Sequence, residues 1–508
     1  MGQDKDMERN KEQEKKGRGS GLLLEVDSMS YRYNEEGEWV LQDISFDVLP
    51  GEFVLVSGPS GQGKSTLLSC CNGVIPQIQG NGILKGDIRV CGQAVKELKI
   101  CEISRLLGSV LQNAQEQIIF DLVKDEIAFP CENLHLECSE IDRRIEEATR
   151  MMELDPEDRT RKLSGGQMQR LITAATLSME PQVLVLDEPL ANLDLAFGKK
   201  LLQVLKEMCG QGKGVIFMEH RLDLVLPYVD KVLWLEDKKG SLFTEISAFQ
   251  EFLKERGQRQ ESQRDQKALK AITTEREGEG RFLLTLDDLG FHIRGRHILR
   301  SIDLDIREGD KWLIIGDNGS GKTTLLKLMA RLLKETEGSM TQSLVKRQGL
   351  VGKPEWYRKL GYVFQNPNYQ LYMPSVIQEV LAQAKDKELG RQLLEHFELT
   401  GLGESHPHSL SEGQKRKLGI AAILAMEPEV LLLDEPTVGQ DLRSLGLLRS
   451  CLLDPGLNKA KTMITITHDP RCAPLLGDKV CWLEKGRIRA TGGLELLEQY
   501  FDKDKVCL

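Results

Sequence analysis

No stretch of the 508 residues approaches the ~18 to 20 consecutive apolar positions that a membrane-crossing helix needs, and no apolar segment follows the N-terminus. A soluble, cytoplasmic protein is therefore expected. The opening MGQDKD has no Ser or Thr at position six, and the closing KVCL places its cysteine wrongly for prenylation, so no lipid anchor is expected. Paired CxxC spacing is also missing. The 11 cysteines are scattered, with Cys70 and Cys71 adjacent as small core residues, which argues against disulfides and cysteine metal sites. A basic excess is lacking too: the formal net charge is −10, so nothing global attracts nucleic acid.

What the chain does have is a phosphate-binding pattern, GxxxxGK[ST], in two copies. The first runs Gly58, Pro59, Ser60, Gly61, Gln62, Gly63, Lys64, Ser65, Thr66; the second runs Gly316, Asp317, Asn318, Gly319, Ser320, Gly321, Lys322, Thr323, Thr324. Glycine is needed because backbone N–H groups must turn inward around phosphate oxygens. Lys64 and Lys322 are expected to reach the β- and γ-phosphates, while Ser65 and Thr323 would ligate Mg²⁺. A glycine-rich turn could meet such a pattern by accident once. Here each copy follows an apolar strand (Phe53 to Val56, Trp312 to Ile315) and opens an apolar helix, as the motif requires.

The runs VLVLDEP (Val183 to Pro189) and VLLLDEP (Val430 to Pro436) read as buried parallel strands that deliver two carboxylates to a ligand crevice. Asp187 and Asp434 are expected to bind Mg²⁺, and Glu188 and Glu435 to polarise an attacking water at the γ-phosphate. Asp-Glu-Pro can also simply end a strand, but it occurs twice, each time downstream of a phosphate loop. Elsewhere short apolar strands alternate with amphipathic helices, so the fold class is α/β in two tandem halves. Residues 1–21 are charged and predict a disordered tail. Residues 254–280 predict a charged linker, leaving 22–253 and 281–508 as the two domains.

Ahead of each acidic strand stands LSGGQ (Leu163 to Gln167) or LSEGQ (Leu410 to Gln414). With these, the chain resembles the ATP-binding-cassette (ABC) ATPases from about Leu22 to Tyr500. The resemblance implies a RecA-like parallel-sheet core in each half, with an antiparallel β-subdomain and a helical signature subdomain. It implies that ATP and Mg²⁺ are bound, and that Ser164, Gly165, Gly166, Gln167, Ser411, Gly413 and Gln414 contact nucleotide held by the opposite half, the two pairing head to tail. Gln112 and Gln365 match the Q-loop glutamine, which senses Mg²⁺ and water. His220 and His468 match the switch histidine, and Asp194 and Asp441 the D-loop aspartate.

Two departures make the halves unequal. Tyr33 occupies the place of the aromatic that stacks on adenine, where the second half offers Ile293. Glu412 replaces the first glycine of the second signature, putting a carboxylate near triphosphate unless a basic neighbour neutralises it.

The segments QNAQEQIIFDLVKDEIAFPCENL and QNPNYQLYMPSVIQEVL look like the energy-coupling-factor (ECF) and cobalt-uptake ATPases. That resemblance implies an energy-coupling subunit of a vitamin or metal-ion importer. It would sit peripherally on the cytoplasmic face of the membrane and drive separate transmembrane subunits, with a substrate-binding membrane subunit. Glu126, Glu132 and Glu379 are candidates to receive basic residues of that partner, against the ordinary reading of helical carboxylates as solvated charge. The rival is a soluble tandem-ABC translation factor of the ABC-F kind acting on ribosomes, but the linker is short and mixed in charge. A Rad50-like ATPase would need a long coiled coil between Q-loop and signature, for which there is no room.

Overall fold

The computed structural model describes residues 21–59, 61–78, 80, 82–191, 193–256, 280–293, 295–342, 357, 359–467, 469 and 473–502. The expected tail except its last residue, most of the linker, Ser60 and His468 lie outside these residues. The chain divides into two units, 1–273 and 274–508. Among the described residues no helix is long and apolar enough to cross a membrane.

The core of the first unit is a six-stranded sheet. Its spatial order is Lys239–Phe243, Lys231–Glu236, Phe53–Ser57, Gly214–Met218, Val183–Asp187, Leu107–Val110. All neighbours are parallel except the antiparallel edge strand Lys239–Phe243. Phe53–Ser57, Val183–Asp187 and Gly214–Met218 are buried at every position. Strands covered on both faces read as continuous apolar runs, which is why VLVLD and GVIFM carry no alternation. Because these strands run the same way, Ser57, Asp187, Met218 and Val110 all end at one edge of the sheet, and the loops that follow them meet there.

A second sheet, in the order Leu41–Val48, Leu24–Arg32, Ile83–Val90, Gln93–Ala94, is antiparallel. It alternates buried and open positions, as one-sided strands do. The helices Val123–Asn133, Cys138–Met152 and Gly165–Ser178 form a subdomain. Cys70 and Cys71 are buried, as their place in the helix Lys64–Cys71 suggests.

The second unit repeats the plan. Its six-stranded sheet runs Leu360–Val363, Val430–Asp434, Thr462–Ile466, Lys311–Ile315, Lys479–Glu484, Arg487–Gly492, parallel except for the last strand. Arg296–Arg307, Phe282–Ile293 and Glu337–Gln342 make the antiparallel sheet. Val376–Leu381, Lys387–His396 and Glu412–Ala425 are the matching helices. The expected α/β architecture of two RecA-like cores, each with a β-subdomain and a helical subdomain, is the observed one.

Candidate nucleotide sites

In both loops the first glycine is obligatory for space. A Cβ on Gly58 would stand 2.0 Å from the Leu235 carbonyl oxygen, and one on Gly316 would stand 2.1 Å from that of Leu483. Both residues have φ near +145°, in the region that glycine alone adopts freely. Lys64 is buried, and its Nζ donates to the carbonyls of Gly58 and Pro59, each at 2.9 Å. Lys322 does the same to Gly316 at 2.7 Å and Asp317 at 3.0 Å. Each ammonium is thus held inside its own loop. Ser320 Oγ is buried without a hydrogen-bond partner among the described residues and stands 2.9 Å from where a Gly316 Cβ would be. A loop that closes around a lysine and leaves a buried hydroxyl unsatisfied fits an oxyanion ligand.

The acidic strands end beneath these loops. Burial and the adjacent Glu188 push the Asp187 carboxyl up to about 6, against the hydrogen bond from Ser65 and the charges of Lys64 and His220. Asp434 is likewise pushed up to about 6 by burial and Glu435, opposed by hydrogen bonds from Thr323 and Tyr362. Thr323 Oγ1 lies 3.1 Å from Asp434 Oδ1. A hydroxyl beside a buried carboxylate is an all-oxygen donor set suited to Mg²⁺, and a cation there would relieve the strain of two adjacent buried acids.

Glu188 is the convergence point of the first site. Its Oε2 accepts from Gln112 Nε2 at 3.0 Å, and its Oε1 is 3.1 Å from His220 Nε2. Burial would raise its pKa, but His220, Lys64 and Gln112 together hold it below the usual glutamate value. Gln112 and His220, each singled out from the sequence by resemblance, thus meet on the carboxylate of Glu188. In the second site Gln365 is exposed. Arg416 donates to the backbone oxygen of Glu435 at 2.8 Å. Both glutamates have left-handed backbones, with φ 48° at Glu188 and 51° at Glu435. Their N–H groups donate to Met218 and Ile466 at 2.9 and 3.0 Å.

Tyr33 is half exposed, and its hydroxyl is 2.9 Å from Thr66 Oγ1, which places the ring beside the first loop. Ile293 is exposed. Ser164 and Ser411 cap the two signature helices. The backbone N–H groups of Gln167 and Gln414 donate to the serine hydroxyls, and the glutamine side chains accept from Ser164 N and Ser411 N, each at 3.0 Å. Gln167 and Gln414 are therefore engaged by the capping box, and Gly165, Gly166 and Gly413 lie in the first helical turns. Asp194 and Asp441 cap the next helices. Glu412 is not left bare, because Lys415 Nζ donates to its Oε1 at 2.8 Å.

Two expectations are corrected. Glu126 and Glu379 are not available to a partner's basic residues: both are buried. Glu126 Oε2 accepts from the backbone of Ile119 and Phe120 at 2.9 and 2.7 Å, and Glu379 Oε2 from Tyr372 and Met373, both at 2.8 Å. Glu132 alone is exposed. The last glutamine of QNAQEQ and of QNPNYQ also has a structural task that sequence reasoning missed. Gln117 Oε1 accepts from Leu111 N at 2.8 Å and Gln370 Oε1 from Phe364 N at 3.0 Å, closing the turn after Gln112 and Gln365.

Comparison with known proteins agrees with this geometry. The ABC transporter family model matches residues 41–191 and 299–438. A relative from Treponema denticola, provisionally named an ABC transporter ATP-binding protein, is 32% identical over 95% of this chain and all of its own length. One from Bacillus subtilis, provisionally named HMP/thiamine import ATP-binding protein YkoD, is 31% identical over 90% of this chain and 89% of its own. Among solved structures, one titled RNase-L Inhibitor covers 94% of this chain and 93% of its own at a TM-score of 0.62. Another, of ribosome-bound archaeal Pelota and ABCE1, covers 94% and 80% at 0.68. Both are 20% identical, a likeness of fold alone. The chain belongs to the ABC transporter ATP-binding family and is an ATPase with two tandem ABC domains.

Proposed function

We propose that the chain is the energy-coupling subunit of an importer of the ECF type, taking up a vitamin or metal ion. It docks on the cytoplasmic face of the membrane against separate transmembrane subunits and probes no nucleic acid. Supporting this reading are relatives named for transport that match over nearly the whole chain, and the turn after each Q-loop glutamine, built the same way in both halves. The likeness to structures described with ribosomal partners rests on 20% identity and speaks only to fold.

The observation that carries the catalytic part is the meeting of Gln112 and His220 on Glu188. In this reading Lys64 and Lys322 bind the β- and γ-phosphates. Ser65 with Asp187, and Thr323 with Asp434, would hold Mg²⁺, which supplies positive charge to the phosphate oxygens when bound. Glu188, kept ionised by its neighbours, orients and polarises the attacking water, and Gln112 and His220 fix its carboxylate; Glu435 has the same task in the second site. Tyr33 stacks on adenine, and the two halves pair head to tail.

Purification of the chain from its native membrane, followed by identification of attached subunits, tests the transport reading. Co-purification of an integral membrane subunit is expected; co-purification with ribosomes instead would overturn it.

A further inference from the structure

Away from the nucleotide machinery, the antiparallel sheet of the second unit brings together three side chains of metal-binding type, one from each strand. The register sets His292 directly opposite His297, while Gly290 stands opposite Glu337 on the other side. The two imidazole centroids are 5.5 Å apart, and His292 Nδ1 is 3.7 Å from Glu337 Oε1. One ligand atom from each residue lies within 4.8 Å of the others, and all three are exposed.

Local backbone features hold the triad in register. Thr336 Oγ1 accepts from His292 N at 3.0 Å and donates to the Gly290 carbonyl at 3.2 Å. Gly290 leaves room for the carboxylate to lie across the strand, since a Cβ there would stand 2.7 Å from Glu337 Oε2.

The first unit shows what the same place looks like without such a cluster. Pairing of Tyr31 with Leu41 matches that of Phe291 with Leu299, and pairing of Ser30 with Lys85 matches that of Gly290 with Glu337. The counterparts of His292, His297 and Glu337 are therefore Arg32, Trp39 and Lys85. There the Arg32 guanidinium and Lys85 Nζ sit 4.9 and 5.1 Å from the Trp39 ring centroid, two cation–π contacts on one indole. At all three positions of the second unit a metal-ligating side chain replaces a residue that cannot ligate.

We propose that His292, His297 and Glu337 bind one first-row divalent transition ion of the Zn²⁺ or Ni²⁺ class, with water completing the coordination. Two imidazoles and a carboxylate form a three-ligand set with an open position. Bond lengths of ~2.0–2.2 Å put adjacent ligand atoms roughly 3.4 Å apart, which these exposed side chains reach by small rotations. The ion clamps a hairpin that backs onto the second phosphate loop: Ile298, next to His297, has its carbonyl oxygen 3.2 Å from where a Gly321 Cβ would stand.

The test uses the full-length, tag-free chain, stripped with chelator and kept in excess Mg²⁺. Zn²⁺ is titrated against a chromophoric chelator, and the melting temperature is followed with and without Zn²⁺. One ion per chain is expected, with a Zn²⁺-dependent rise in melting temperature. Loss of a partner outside the coordination shell typically weakens a metal site about 10- to 100-fold, so His292→Ala or His297→Ala should weaken binding at least about tenfold and remove the thermal shift. His292→Asn keeps a polar hairpin surface and should do the same. His406→Ala with His408→Ala, a histidine pair elsewhere in the second unit, should change neither. Wild-type affinity and stoichiometry in the His292 and His297 variants, or no saturable binding in the wild type, would overturn the proposal.

Discussion

Tyr362 donates its phenolic proton to Asp434 Oδ2 at 3.2 Å, deep in the second site, while the matching position of the first half is Ser109, whose hydroxyl accepts from Asn72 Nδ2 at 3.4 Å. Burial, then the Asp434 charge, raises the Tyr362 pKa far above the usual phenol value, so Tyr362 is a fixed donor. A hydrogen bond to a buried charge contributes about 1.5–3 kcal/mol. Tyr362→Phe should destabilise the protein by that order in denaturant unfolding without added Mg²⁺, whereas Ser109→Ala should stay within about 0.5 kcal/mol. Equal losses would show that the tyrosine acts through packing alone.

Glu188→Gln combined with Glu435→Gln should lower steady-state ATP hydrolysis by ~10²- to 10⁴-fold and leave ATP binding intact, because the amide keeps the shape but cannot take a proton. Phosphate release and equilibrium nucleotide binding, measured side by side, check this. Near-normal turnover would remove both glutamates from the chemistry.

Tyr33→Ala should weaken nucleotide affinity at the first site by about 0.5–1.5 kcal/mol, the contribution of an aromatic stack, and Ile293→Ala should do less at the second. Titration with a fluorescent ATP analogue separates the two. Identical losses would mean that the adenine-facing positions have been misaligned.

The contact of Lys415 with Glu412 reverses the emphasis placed on the altered signature. With its charge compensated, Glu412→Gly alone should leave turnover close to the wild-type rate. Lys415→Ala, which bares the carboxylate, should slow it, and adding Glu412→Gly to that variant should restore it. Failure of the second change to rescue would show that Lys415 acts for some other reason.

Glu126→Ala and Glu379→Ala each strip two backbone N–H groups of a buried acceptor. Each should lower unfolding stability by at least about 1.5–3 kcal/mol. Glu132→Ala, on the exposed side of the same helix, should be nearly silent. A silent Glu126→Ala would mean that water replaces the carboxylate without loss.

The features legible in the sequence are those written in contiguous residues. GPSGQGKST, VLVLDEP and LSGGQ each specify a loop, a buried strand or a capped helix on their own, and the chain order of those pieces dictates one parallel sheet edge where they meet. Glu126 was misread because an exposed and a buried helical glutamate look alike until the preceding turn is folded back onto one of them. Tyr362 and the His292, His297 and Glu337 cluster stayed hidden for a related reason. Their partners are supplied by strand register, and around the two histidines bulges in the strand Phe282–Ile293 shift that register in ways that spacing alone does not encode. The left-handed backbone at Glu188 was likewise invisible, since a non-glycine residue there runs against local preference.

That backbone sets this family member at odds with its own stability. A left-handed conformation at a residue with a Cβ is disfavoured by roughly 1–2 kcal/mol, so glycine would sit more comfortably at positions 188 and 435. Selection for robustness alone would drift there. A library screened only for thermal tolerance should therefore enrich Glu188→Gly and Glu435→Gly, and, on the catalytic role proposed for these glutamates, the sturdiest survivors should be those that no longer burn ATP.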